Sequence, residues 1–482
     1  MELIALLIIP LVASAAELIP WKSAKAPGRM TVVAGILQFI LAVWVGSAVL
    51  RGQTVVGVGS WVSCNAFDAV MLLTITFVGL ASAIFSTGYI GSLAYRGPVV
   101  KVRRYYTRFN LFLLSMIAVP LFSHIALVWI AVELSTLASV FLVAFDETPE
   151  ALEAAWKYAI LTSIGASFAL LGVLMLYWAM RTAGATDFTW TELYRVSAQM
   201  PAPVVRTAFV FLIVGFGTKA GLVPLHTWLP DAYSQAPSPV LALLSVVETC
   251  TAPYVIIKLL PLLSTPGLEP IHTWLIVFGL ISVGTAAILM FQVKEYKRLF
   301  AYSTIEHVGI IFVAAGFGGT LASYGLTFQI LSHALTKSMC FFATGSALLL
   351  TQTKDIAGIR GLSKVSPIAG GVLLAGGLAI SGAPPFVVFL SELGIIKAGI
   401  SSEQYVAAGL LVIFVVLAFA AIMRHLNRMV FGIPIAPAST TPLPRSLTIA
   451  LALSLVPVVI FGLFVPNPLF DLLRLAALSL GK

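Results

Sequence analysis

Long apolar runs alternate with short polar ones along almost the whole chain. The runs are about 20 residues long, which is what a helix needs to cross a hydrocarbon layer roughly 30 Å thick. Polar and apolar positions do not alternate with a period of two inside them, so they read as helices rather than strands. Fourteen runs qualify: 2–18, 30–50, 66–93, 107–123, 124–145, 152–180, 204–231, 240–261, 271–292, 298–316, 321–350, 365–398, 403–430 and 445–466. No gap between them can hold a soluble domain. The longest, 181–203, has room only for a short amphipathic segment. The pattern predicts an all-α polytopic membrane protein of about 14 transmembrane helices, because lipid admits only helices or closed barrels.

Two of these spans are interrupted. The seventh contains Gly221 and Pro224, then Pro230, and the twelfth contains Gly382-Ala383-Pro384-Pro385. Proline in a helix interior removes a hydrogen bond and clashes with the preceding turn. Interruptions five spans apart suggest two five-helix repeats, spans 4–8 and 9–13. An odd number of helices per repeat inverts the second unit relative to the first. The chain then divides into an N-terminal three-helix segment (1–106), a first repeat (107–265), a second repeat (266–430) and a C-terminal helix and tail (431–482). Broken helices at matching places in inverted repeats point to an ion path near the membrane midplane. Unrelated proline kinks are the plainer alternative.

Composition agrees with the pattern. Hydrophobic residues make up 60% of the chain, charged residues 10%, and the mean hydropathy is +1.03; a soluble domain carries about 25% charged residues. The net charge of +9 comes from Lys and Arg in short loops, which orient a membrane chain and do not form a nucleic-acid patch. Odd-numbered loops hold 17 of the 28 basic residues and even loops and termini hold eight. Lys157, Lys219 and Lys337 lie within spans. This bias puts the odd loops in the cytoplasm and both termini outside the cell membrane. Met1 to Ala16 lacks a basic stretch before its apolar run, so it reads as a first span and not as a secretory signal. The cysteines Cys64, Cys250 and Cys340 are far apart, which argues for buried inert thiols and against an iron–sulfur or zinc site. No cofactor and no metal are expected on this chain.

The ionisable residues inside the spans carry the chemistry. One charge at the bilayer centre costs roughly 2.5 kcal/mol or more, so a chain that keeps several is using them, most often to move ions or protons. Glu133 is central in span 5 and Lys219 is central in span 7, just before its break. Lys157 lies about a turn inside span 6, and Glu248 lies partway into span 8. His307 is central in span 10. His333 and Lys337 in span 11 are four apart and share a helix face. Glu392 lies in span 12 beyond its break. Burial and moving counter-charges bring lysine and glutamate toward neutral titration, and histidine titrates there unaided. Glu133 and Lys219 could form a switched pair, or a static ion pair that fixes helix packing. Lys157 is near enough to the interface to snorkel. His307, His333 and Glu248 have core hydrogen-bonding roles as alternatives. Lys258 reads as an interfacial anchor.

Several segments then resemble a known family. Gly217-Thr-Lys-Ala-Gly-Leu-Val-Pro-Leu-His-Thr-Trp-Leu-Pro-Asp-Ala232, followed by Ala236-Pro-Ser-Pro-Val240, resembles the signature of antiporter-like subunits. These subunits are shared by respiratory complex I, multisubunit sodium/proton antiporters and membrane-bound hydrogenases. Lys297-Arg-Leu-Phe-Ala-Tyr-Ser-Thr-Ile-Glu-His-Val-Gly309, Ser332-His-Ala-Leu-Thr-Lys-Ser338 and Gly382-Ala-Pro-Pro-Phe-Val-Val-Phe-Leu-Ser-Glu392 extend the resemblance over most of 107–430. The forms around His307 and Glu392 look most like the hydrogenase-4 and formate hydrogenlyase branch. By this resemblance Glu133 and Lys219 match the family's span-5 glutamate and span-7 lysine. His333 and Lys337 match its span-11 motif, and Glu392 occupies its span-12 site. One departure stands out: many relatives carry lysine in span 8, where the nearest residue here is Glu248.

The resemblance implies a proton-translocating subunit of a redox-driven complex, moving protons through a buried Glu-Lys-His relay. Partner subunits, membrane and peripheral, would hold the nickel-iron or iron–sulfur centres. A secondary sodium/proton antiporter subunit is the alternative, with Asp231, Thr218 and Ser245 as candidate sodium ligands. An inactive scaffold is a third, opposed by the retained central charges. The family's longest members end in a lateral helix and a further span. The sequence, which stops at Lys482 after span 14, reads as an inner or sole unit without that arm.

Overall fold

The computed structural model describes residues 1–21, 23, 25–91, 99–435 and 442–481. Lys22, Arg96 and Lys482, used above for orientation, lie outside them. The chain opens with α1 (Glu2–Glu17), α2 (Lys25–Leu50), α3 (Ala66–Tyr89), α4 (Val99–Leu121), α5 (Ile125–Val143) and α6 (Pro149–Thr182). A short surface helix, α7 (Trp190–Val196), fills the longest polar gap. Then follow α8 (Ala202–Ala220), α9 (Trp228–Gln235), α10 (Ser238–Val246), α11 (Tyr254–Lys258), α12 (Pro270–Met290), α13 (Tyr296–Phe317) and α14 (Gly319–Thr351). The last third holds α15 (Leu362–Val365), α16 (Pro367–Ile380), α17 (Val387–Ser401), α18 (Tyr405–Val430), α19 (Arg445–Leu463) and α20 (Asn467–Leu480). A two-stranded hairpin, Val55–Val56 against Ser63–Cys64, lies between α2 and α3.

Among the described residues, eleven helices are long and apolar enough to cross a membrane. The sequence pattern marks three further runs. Of these, α1 is short, α4 begins with a basic turn, and the run at 365–398 is divided between α16 and α17. The C-terminal tail is not extended: it forms the amphipathic α20, which packs on α3 and α14. Helix α14 is the hub. It is 33 residues long, touches α3, α10, α13, α16, α17, α19 and α20, and is buried over most of its length. At about 1.5 Å per residue it measures roughly 50 Å.

Both breaks are built alike. Helix α8 ends on Gly221 (φ +83°), and α16 is followed by Gly382 (φ +71°). This left-handed conformation suits glycine and releases the last helical carbonyls to a new direction. Proline follows each, at 224 and 384–385, and a second helix then resumes. Close packing holds the first break in place. A Cβ on Gly215 of α8 would lie 2.3 Å from the backbone nitrogen of Ala169 on α6, so these two helices meet backbone to backbone.

Candidate functional site

Lys219 sits in the last turn of α8, buried between α5 and α6. Its amine donates to Thr136 Oγ1 at 2.5 Å and to the Tyr158 hydroxyl at 3.1 Å. Tyr158 in turn bonds Ser139 at 2.8 Å. Glu133 is half-buried, and its carboxylate accepts from Ser163 at 3.1 Å. Glu133 and Lys219 make no ion pair within 4.0 Å. They face the same small cavity, lined also by Trp129, Thr162 and Phe216, with room for about one water molecule. The static ion pair among the sequence alternatives is therefore not what the structure contains.

Glu248 lies in a π-turn, Val247–Thr251, where span 8 changes pitch. Such turns redirect side chains inside helices and recur at functional sites. Its Oε2 accepts from the Tyr233 hydroxyl on α9, while Oε1 has no partner. Lys337, in the middle of α14, donates to the Phe300 carbonyl at 2.5 Å and lies over the Phe300 and Phe341 rings. His333, one turn earlier, has neither ring nitrogen bonded, and its ring centre is 4.8 Å from that of His307. Glu392, in the second turn of α17, is buried with Oε1 unpartnered. Its Oε2 fills the space where a Cβ on Gly382 would be.

The charges form a connected series. Those acting on Lys219 are Glu133 and Glu248. Those acting on Glu248 are Lys219 and Lys337. Glu306 follows, between Lys337 and Glu392. Acid and base therefore alternate from Glu133 through Lys219, Glu248 and Lys337 to Glu306, a sequence of sites suited to stepwise proton transfer. The carboxylate at Glu248 sits between two lysines and completes this alternation.

Other residues stand elsewhere. Lys157 is about half exposed and apart from the buried series; it pairs with Glu153 at 2.7 Å and Asp231 at 3.1 Å. Asp231 also binds Arg298 at 2.7 Å. The other two candidate sodium ligands, Thr218 and Ser245, donate within their own helices. Lys258 is not an interfacial anchor. It is 3% exposed and pairs at 3.0 Å with Asp68, the first-turn carboxylate of α3, which also accepts from Tyr254. Breaking such a buried pair costs about 3–5 kcal/mol, so this contact clamps the N-terminal segment to span 8. Lys297 is likewise not in a loop: it is buried in the first turn of α13 and donates to the Ala236 carbonyl at 2.9 Å. At the end of the molecule that carries α7, Arg195 holds the Glu192 carboxyl down at about 2 by direct hydrogen bonds.

Glu306 was missed in the sequence reading. It is a mid-span carboxylate, as costly there as Glu133, and that cost is the signal by which the sequence reveals it. Thr136, Tyr158 and Tyr233 carried no signal, because single hydroxyls in apolar runs are common.

Residues 123–418 match the family described as NADH:quinone oxidoreductase/Mrp antiporter, transmembrane. The hydrogenase-4 component F homolog of Methylacidiphilum infernorum is 35% identical over 415 residues, 85% of this chain and 86% of that protein. The NADH-quinone oxidoreductase subunit N of Desulforudis audaxviator is 29% identical over 402 residues, 82% of this chain and 78% of that one. A chain of the membrane-bound sulfane sulfur reductase, an archaeal respiratory membrane complex, superposes with a TM-score of 0.88 at 26% identity, covering 100% of this chain and 98% of that one.

Proposed function

The chain belongs to the NADH:quinone oxidoreductase/Mrp antiporter transmembrane family, and from that premise we propose that it is the proton-translocating, antiporter-like subunit of a redox-driven membrane complex. The observation that carries this reading is the intramembrane series Glu133, Lys219, Glu248, Lys337, Glu306, Glu392, whose members act on one another in turn. The series starts in span 5, passes the break in span 7 and ends beyond the break in span 12. The 35% identical relative supports the hydrogenase-4 branch. Redox centres belong to partner subunits, membrane and peripheral; this chain moves the proton. Lys157, bound to Asp231 beside Arg298, marks the cytoplasmic mouth.

The finer architecture is part of the same reading. The chain crosses the cell membrane 14 times, spans 4–8 and 9–13 are inverted repeats, and both termini face outward. The similar construction of the two breaks and the bias of basic residues support it. A Lys482→Cys variant tests the orientation cleanly, because the three native thiols are buried. Membrane-impermeant maleimide added to intact cells should label position 482. Labelling only in inside-out vesicles would reverse the topology.

Sodium/proton antiport is the other activity known in the family. It is less favoured here, since Asp231 is neutralised by two cations and Thr218 and Ser245 are bonded within their helices. The deciding experiment uses inside-out vesicles carrying the whole complex. Redox turnover should acidify the lumen in sodium-free buffer, and a protonophore should abolish the signal. Acidification that requires sodium would favour the antiporter.

A further inference from the structure

Glu306 and His307 are neighbours on α13 and both are buried, yet their surroundings differ. His307 Nε2 lies 2.8 Å from the carbonyl oxygen of Ile380, which can only accept, so Nε2 holds the proton. Its Nδ1 lies 2.7 Å from Gln329 Nε2, and Gln329 Oε1 accepts from Ser391 at 2.6 Å. Nδ1 is thus the acceptor, and the ring is held in one tautomer with both nitrogens engaged. A second proton on Nδ1 would require Gln329 to turn its amide and Ser391 to change from donor to acceptor. Ile380 is the last residue of α16, so the imidazole ties span 10 to the break in span 12.

Glu306 has the opposite character. Its Oε2 is buried and makes no hydrogen bond. An unpartnered buried polar atom costs about 1–3 kcal/mol, and more if charged. The charged groups that act on it are Lys337 and Glu392. His333 also has free nitrogens, but it faces the fixed His307 ring at 4.8 Å between ring centres and lies one turn from Lys337.

We propose that Glu306 carries the proton between Lys337 and Glu392, and that His307 is a positioning residue that holds the broken span 12. This rests on the proton-relay reading above. In the first step the Lys337 ammonium loses a proton to the Glu306 carboxylate: an N–H bond breaks, an O–H bond forms, and a neutral amine and carboxylic acid remain. In the second step Glu306 passes the proton to the Glu392 carboxylate and regains its charge. No electrons move.

The test measures protons released per substrate oxidised by the intact complex in inside-out vesicles. Glu306→Gln should lose proton release as completely as Lys219→Met while the complex still assembles, and Glu306→Asp should restore part of it. His307→Gln should reduce the amount of assembled complex but leave the ratio of the assembled fraction near wild type. If Glu306→Gln pumps normally and Lys219→Met does not, Glu306 is outside the path and this proposal fails alone. If both pump normally, the relay reading itself fails. Should Glu306→Gln not assemble, Glu306→Asp decides: a slower rate with an altered solvent isotope effect supports the proposal, and an unchanged rate and isotope effect overturn it. Loss of the ratio in His307→Gln with a normal ratio in Glu306→Gln would exchange the two roles.

Discussion

Lys219→Met should abolish proton translocation and leave the complex assembled. Methionine keeps most of the side-chain volume and removes only the titrating amine. The hydroxyls left behind have other partners: Tyr158 keeps Ser139 at 2.8 Å, and Thr136 keeps Glu133 and Tyr158 beside it. Even a hydroxyl left unpaired would cost only about 1–3 kcal/mol, which a bundle of this size tolerates. The functional loss is total because Lys219 is the one base between Glu133 and Glu248 in the series. Lys219→Arg fails as well, since a guanidinium does not release its proton at these pH values. Protons released per substrate oxidised in inside-out vesicles give the answer, with native gels reporting assembly. Normal proton release in Lys219→Met would remove Lys219 from the path.

Glu392→Gln has the second largest effect. Glu392 is the last buried carboxylate of the series and lies beyond the break in span 12, which is the outward half in the proposed orientation. Glutamine matches its size and polarity but cannot carry a proton, so turnover slows or uncouples while assembly is kept. Glu392→Asp retains partial activity. Gly382→Ala provides an independent approach to the same carboxylate: the added Cβ would lie 2.2 Å from Oε2 and push it aside. Its ratio of protons to substrate should fall between those of wild type and Glu392→Gln. An unchanged ratio in Glu392→Gln would require another exit.

Much of this was legible in the sequence because lipid makes mistakes costly. A charge in an apolar run stands out against its neighbours, which is how Glu133, Lys219, Lys337 and Glu392 were found. Glycine and proline marked both breaks for the same reason. Partnerships were not legible. Nothing in one dimension pairs Lys258 with Asp68, 190 residues away, or turns Lys297 from a loop cation into a buried donor. The identity of the charge next in line was also hidden: Glu306 and His307 are adjacent letters, and only their hydrogen bonds separate a fixed ring from a free carboxylate.

The Asp68–Lys258 contact also sets an order of events during synthesis. Asp68 leaves the ribosome 190 residues before its counter-charge. At about 5–20 residues per second, translation leaves it waiting for roughly 10 to 40 s. In that interval its local support is the first turn of α3, where Oδ2 accepts from the Asn65 backbone N–H. Once span 8 is in place, Lys258 and Tyr254 both bond this carboxylate and bury it. The clamp between the N-terminal segment and span 8 can therefore close only after residue 258 has been made and inserted.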